Sequence, residues 1–131
     1  MIRYATQADV LRIVDMVERL RAAVGGPVAV HRGWTAAQVA RLVAGPDSAV
    51  WVSAGGFLAG AMMPTVISPD PIAQELGWWA EDGSGLRLLR RFEAWATERG
   101  ASLVQLSTGA SGPDLSRLGY RRAEQAWVRS I

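Results

Sequence analysis

The chain has 131 residues, half of them apolar and a fifth charged, with a formal net charge of +2, which suits a single domain over residues 1–131 with one core. It holds no cysteine, which excludes a disulfide scaffold, a thiol nucleophile and any cysteine-ligated metal site, and fits a reducing, cytoplasmic setting. All 14 cations are arginines, so a pI near 9.9 reflects groups that stay charged to very high pH and does not by itself mark a nucleic-acid binder.

The first seven residues lack the apolar run of a signal peptide. No window is long and apolar enough for a membrane span, so no membrane partner is expected. Residues 2–5 suit a short strand. Thr6-x-x-Asp9 then has the spacing of a capping box. Val10, Ile13, Val14, Val17, Leu20 and Val24 follow at helical intervals, with Arg12, Asp15, Glu18, Arg19 and Arg21 on the other side. Gly25-Gly26-Pro27 ends that helix. A loop holding His31, the only histidine, leads to Thr35-x-x-Gln38, which opens a short second helix stopped by Gly45-Pro46-Asp47. Residues 48–54 and 57–67 read as a hairpin about Gly55-Gly56, two residues that tolerate positive φ, with Pro64 marking a bend or an edge. After the rigid Ser68-Pro69-Asp70-Pro71 comes a strand over residues 72–80.

Gly83 or Ser84 opens a helix reaching about Arg99, with Leu86, Leu88, Leu89, Phe92, Trp95 and Ala96 turned inward and Gly100 behind it. Residues 103–106 form a strand. Joined through that helix to residues 72–80, it lies parallel to them. Pro113 suits the first position of a short helix ended by Gly119, and residues 120–122 and 126–130 read as two closing strands. The order is β-α-α-β-β-β-α-β-α-β-β. This is an α/β (α+β) chain with a mixed, mostly antiparallel sheet, one parallel crossover and helices on both faces.

The chemistry concentrates between Glu75 and Leu89: a buried strand, a glycine turn and a helix start. First-turn amides have no internal acceptor and lie at the positive end of the helix dipole. Gly83 and Gly85 let a ligand approach the backbone, so the unit suits a phosphate, although many such turns are only tight corners. Strand alternation puts Glu75, Gly77 and Trp79 on one face and Leu76, Trp78 and Ala80 on the other. A carboxylate at Glu75, part-buried beside tryptophan, has a raised pKa and suits a general base; a structural carboxylate bonded to a neighbouring strand or an arginine is the alternative. No second histidine or carboxylate cluster suggests a metal site. Arg87, Arg90 and Arg91 suit either a phosphate or a solvated helix face. Of the six tryptophans, Trp51, Trp78 and Trp95 read as core, while Trp34 and Trp127 belong to the core or edge a pocket.

Several motifs then line up in order: residues 2–9 as the opening strand and helix, Glu75-Leu76-Gly77-Trp78-Trp79-Ala80, Gly83-Ser84-Gly85-Leu86-Arg87-Leu88-Leu89, Glu93-Ala94-Trp95-Ala96 before Gly100-Ala101, and Leu118-Gly119-Tyr120. Across its whole length the chain resembles the GCN5-related N-acetyltransferase (GNAT) superfamily. Its small size and Glu-Leu-x-Trp-Trp strand most resemble the short GNAT proteins of bacteriophages. The resemblance implies transfer of an acetyl group from acetyl-CoA, as co-substrate, to an amine of unidentified acceptor, by a cytoplasmic protein that is a possible homodimer. It implies that coenzyme A lies between the fourth and fifth strands. Trp78, Trp79 and Ala80 would hold pantetheine, and the amides of Gly83, Ser84, Gly85 and Leu86 the pyrophosphate, with Arg87 one turn on. Ser107 or Thr108 would bond the pantetheine amide, Glu75 would act as base, and the His31 loop would line the acceptor side.

The sequence departs from the family pattern at three places. Ala80 stands where the pyrophosphate turn usually begins with a cation or amide. Glu81 and Asp82 put two negative charges beside a diphosphate, each unfavourable by about 1 kcal/mol at 4 Å in water. Leu115 stands where a tyrosine acid often lies, and Tyr120 takes an aromatic core position. These departures motivate the alternative reading, a catalytically inactive GNAT-fold binding or structural module.

Overall fold

The computed structural model describes residues 1–131. In chain order the elements are β1 (Arg3–Tyr4), a 3₁₀ turn at Gln7–Asp9, α1 (Val10–Val24), α2 (Arg32–Ala44), β2 (Ser48–Val52), β3 (Gly56–Met63), β4 (Ile72–Ala80), α3 (Gly85–Glu98), β5 (Val104–Gln105) and a 3₁₀ turn at Ser116–Leu118. The five strands form one sheet in the order β1-β2-β3-β4-β5, antiparallel except for the β4–β5 pair. The mixed, mostly antiparallel architecture is therefore the one expected.

Two apolar clusters sandwich the sheet. On one face Ile13, Val14 and Met16 of α1 and Val39 of α2 meet Val50, Val52, Phe57 and Ala59. On the other, Leu88, Leu89, Phe92, Trp95 and Ala96 of α3 cover Trp51, Leu58 and Ala73. Side chains this size each contribute about 1.5–3 kcal/mol on burial, so the stripes read from helical spacing are what dock the helices. Trp51 sits edge-on to Trp95 with ring centres 5.6 Å apart. Its buried Nε1 has no partner, so this indole serves packing alone.

Asp9 organises the opening of the chain. Its carboxylate accepts the Thr6 amide at 2.8 Å and both guanidinium nitrogens of Arg3 at 2.7 and 2.9 Å. Arg12 adds a contact at 3.1 Å. These donors hold Asp9 far below the usual carboxylate range, the Arg3 bond most of all. α1 ends at Gly25, whose φ of +65° closes the helix in the left-handed conformation.

The structure departs from expectation in four places. α2 starts at Arg32 rather than Thr35, because His31 caps it: its Nδ1 accepts the Trp34 amide at 3.0 Å. The β2–β3 turn uses no positive φ; Gly56 is needed for space, since a Cβ there would lie 2.9 Å from both Ser84 Oγ and Trp79 O. β3 stops at Met63, where Pro64 removes the next ladder donor. After β5 neither a further α-helix nor the two closing strands form, and residues 121–131 are exposed without regular structure. The seven residues from Pro113 to Gly119 are too few to repay helix nucleation. With only two residues, β5 also offers a short edge on which to extend a ladder.

Candidate active site

β4 is bound to β3 along its whole length, from Met63↔Ile72 to Gly56↔Ala80. To β5 it is bound only at Ala73↔Val104 and Gln74↔Gln105. Beyond those pairs the strands part, and from Leu76 to Ala80 β4 has no strand on that side. Side chains complete the hydrogen bonding at the fork. Glu75 Oε1 accepts the amide of Ser107 at 3.0 Å. Gln74 Nε2 donates to the carbonyls of Glu75 at 2.9 Å and Gln105 at 3.4 Å.

A bulge at the fork resets the alternation expected for β4. Ala59 opposes Gly77 while Gly60 opposes Glu75, leaving Leu76 as the extra residue. Glu75 therefore shares a row with Gly60, which faces Phe92 of α3, and not with Gly77, which faces Phe57. Trp79 packs on the α1 side and Trp78 on the α3 side.

The fork opens into a cleft of about 1130 Å³. β4 from Gln74 to Ala80 contributes along its length, Gln105, Ser107 and Thr108 contribute beside it, and the end of α1 completes it with Leu20 and Val24. Of the residues singled out from sequence, Glu75, Trp78, Trp79, Ala80, Gly85, Ser107 and Thr108 line this cleft; Gly83, Ser84, Leu86 and Arg87 do not. Gln74 and Gln105, whose roles follow from strand pairing, carry no local signal, and Leu20 and Val24 read from spacing as core stripe. Gly109 also approaches α1 closely: a Cβ there would lie 3.0 Å from Val24 Cβ.

Glu75 is 7% exposed. Burial pushes its carboxyl up to about 7, against the opposing pull of the Ser107 amide. Only one of its oxygens is engaged by the chain, so the second is available to a group in the cleft.

The acidic turn is internally satisfied. Asp82 accepts from the Gly55 amide at 2.9 Å, from Ser53 Oγ at 2.8 Å, and from the amide and hydroxyl of Ser84. The Ser84 hydroxyl leads the bonds that hold Asp82 far below its ordinary range. Ser84 is wholly buried, and its amide is already given to Asp82 at 3.1 Å. Within the chain the amides of Gly85, Leu86 and Arg87 have no acceptor. Glu81 is bound by Trp79 Nε1 at 3.0 Å and by Arg19 at 2.6 Å. Both contacts lower its pKa. The Trp78 indole donates to Gly85 O at 3.1 Å, which pins the strand to the start of α3.

Arg87 is exposed and free of any carboxylate, whereas Arg90 pairs with Glu93 at 2.7 Å and Arg91 lies 5.9 Å from the centre of the Tyr4 ring. The hydroxyl of Tyr120 donates to Glu93 at 2.6 Å, and its ring packs on the α3 cluster, away from the cleft lining. Neither His31 nor Leu115 lines the cleft. Trp34 and Trp127 are exposed, not core.

No protein-family model matches the chain, and no curated protein matches it either. Solved structures do. A predicted acetyltransferase with acetyl-CoA from Clostridium acetobutylicum superposes with a TM-score of 0.80 at 16% identity, over 100% of this chain and 95% of that one. A transcriptional regulator from Bacillus halodurans C-125 gives 0.79 at 19% identity, over 100% and 99%. The aminoglycoside antibiotic 6'-N-acetyltransferase of Acinetobacter haemolyticus gives 0.78 at 13% identity, over 100% and 97%. At these identities the likeness is one of architecture, and the chain has a GNAT-like fold.

Proposed function

We propose that this chain is an acyl-CoA-dependent N-acetyltransferase, moving an acetyl group from acetyl-CoA to an amine. The observation that carries the reading is the fork between β4 and β5, with one available carboxylate oxygen at its apex and unpaired α3 amides beyond its open end. The likeness to acetyltransferases, one of them solved with acetyl-CoA, supports it. The short phage-type pattern supports placing the chain in a phage setting.

The residues suit the co-substrate. The unpaired side of β4 between Leu76 and Ala80 presents a strand edge to an amide-bearing arm, with Trp78, Trp79 and Ala80 along it and Ser107 opposite. The amides of Gly85, Leu86 and Arg87 and the free Arg87 guanidinium suit a diphosphate. Arg19 offsets Glu81, and Asp82 is directed into its own turn. The two acidic residues therefore do not stand as free charges against the coenzyme.

In the reaction the amine nitrogen forms a bond to the thioester carbonyl carbon, the carbon–sulfur bond breaks, and sulfur leaves with the electron pair. Glu75 takes the nitrogen's proton, directly or through one water. With a pKa of about 7 it is substantially ionised at neutral pH and still basic enough to accept. A thiol has a pKa of about 8.5, so the thiolate is a competent leaving group without a tyrosine at position 115. Holding both reactants supplies the larger share of the acceleration, roughly 7–11 kcal/mol when alignment is good.

Calorimetry with acetyl-CoA tests the reading. Micromolar binding is the expected outcome; no heat at millimolar ligand would overturn the reading and leave the inactive module in its place.

A further inference from the structure

The cleft is chemically lopsided. Among all the side chains that line it, Glu75 is the only ionisable one. Around it stand large apolar groups left open to solvent: Leu76 at 49%, Val24 at 46% and Met63 at 41% exposure. Leu20 and Pro27 extend this apolar wall from the end of α1. Several carboxylates outside the lining are already engaged. Glu81 is bound to Arg19 and Trp79, Glu124 takes a bond from Gln105 at 2.8 Å, and Asp15 and Glu18 on α1 are both held by Arg32.

From this composition, and resting on the acetyltransferase reading above, we infer that the acceptor is a monoamine carried on an apolar body, of the aryl-alkylamine class. The single carboxylate meets one ammonium or amine nitrogen. The exposed wall of Leu76, Val24 and Met63 gains by covering itself with hydrocarbon. A polyamine or an aminosugar would bring several charges into a cleft with one counter-charge, and each unmatched cation loses its hydration without replacement. The same walls give a peptide lysine no acidic neighbours to bind its flanking residues. The cleft volume of about 1130 Å³ leaves room for a compact ring beside the coenzyme's arm.

The test uses the whole chain saturated with coenzyme A, the thiol form, so that no turnover occurs. 2-Phenylethylamine and spermidine, similar in size, are titrated separately by calorimetry; in a second assay with acetyl-CoA in place of coenzyme A, acetyl transfer to each is followed by thiol release. The arylalkylamine is expected to bind at least about tenfold more tightly, the worth of burying one or two methylene equivalents. Met63→Asp should shift that ratio by about tenfold toward spermidine while coenzyme affinity holds, because it adds the missing counter-charge away from the β4 edge assigned to the coenzyme. Should Met63→Asp fail to fold, Val24→Glu on the α1 side of the same wall is used in its place. Spermidine binding as tightly as phenylethylamine, or a ratio that neither acidic substitution moves, overturns the inference while the transferase reading stands. Failure of coenzyme A to bind the unaltered chain overturns the transferase reading, and this inference with it.

Discussion

β4 has two unlike flanks. Toward β3 the backbones stay paired from end to end, interrupted by one bulge; toward β5 they pair at two residues and then separate. On the closed flank small residues let layers come together, as at Gly60 beneath Phe92. On the open flank polar side chains, Gln74 and Glu75, replace the missing strand. The difference teaches that the candidate site is made where regular pairing stops, and that the closed flank holds the open one in place. Attacking the closed flank should therefore have the largest effect. A Cβ at Gly60 would lie 2.3 Å from Phe92 Cε1, so Gly60→Ala is expected to cost about 1–3 kcal/mol of stability by overpacking, and Gly60→Val more. Urea unfolding followed by tryptophan fluorescence measures this directly. A wild-type midpoint for Gly60→Val would mean that the two layers are not in close contact there.

The open flank should answer in the opposite sense. Glu75→Gln keeps an oxygen for the Ser107 amide but removes the base, so transfer is expected to slow by at least about tenfold at neutral pH. The same variant should be more stable than the wild type at pH 8. The sign follows from burial, which raises the folded pKa from 4.5 to about 7. Below 4.5 both folded and unfolded chains hold the proton. Between 4.5 and about 7 the folded chain keeps a proton that the unfolded chain has released, so stability falls as pH rises through that window, by up to about 3 kcal/mol. Activity should rise through the same window, since the ionised form is the base. A thermal midpoint that is flat from pH 4.5 to 8 in the wild type would remove the buried-carboxylate account, and an undiminished rate in Glu75→Gln would remove Glu75 as the base.

The closed flank was largely legible in the sequence. The stripes of α1 and α3 and the Val50–Val52 and Phe57–Ala59 runs are periodic and apolar, and burial follows period. The parallel β4–β5 pair followed from the crossover helix alone. The open flank was legible only in part. Glu75 and the glycine turn stood out as residue types, but the bulge at Leu76 depends on how two distant strands meet and has no local signature. His31 looked like a loop side chain because the helix it caps starts earlier than the Thr35 capping box. The strands expected near the end of the chain, residues 120–122 and 126–130, are short segments whose residues name no pairing partner, and β5 offers little edge.

Two smaller predictions sharpen the account of the open end. Arg87 has no carboxylate partner, so Arg87→Ala should leave the thermal midpoint unchanged and weaken acetyl-CoA binding by about three- to tenfold, as for a charge-assisted contact to phosphate. An equal loss for Arg90→Ala would argue against a specific contact, because Arg90 is already paired with Glu93.

Arg19→Ala should have the smallest effect. Arg19 sits on α1 and reaches across to Glu81 at 2.6 Å, with both side chains about half exposed. Removing it leaves Glu81 bound to the Trp79 indole but with its charge no longer offset near the start of α3. Acetyl-CoA affinity is then expected to fall by about twofold at low salt, in keeping with the small worth of exposed ion pairs. The loss should fade as ionic strength approaches physiological values, where screening acts over about 8 Å. Adding Glu81→Gln to Arg19→Ala should restore the affinity, because no charge is left to offset. A loss that survives both high salt and the second substitution would mean that Arg19 positions the turn by packing rather than by charge.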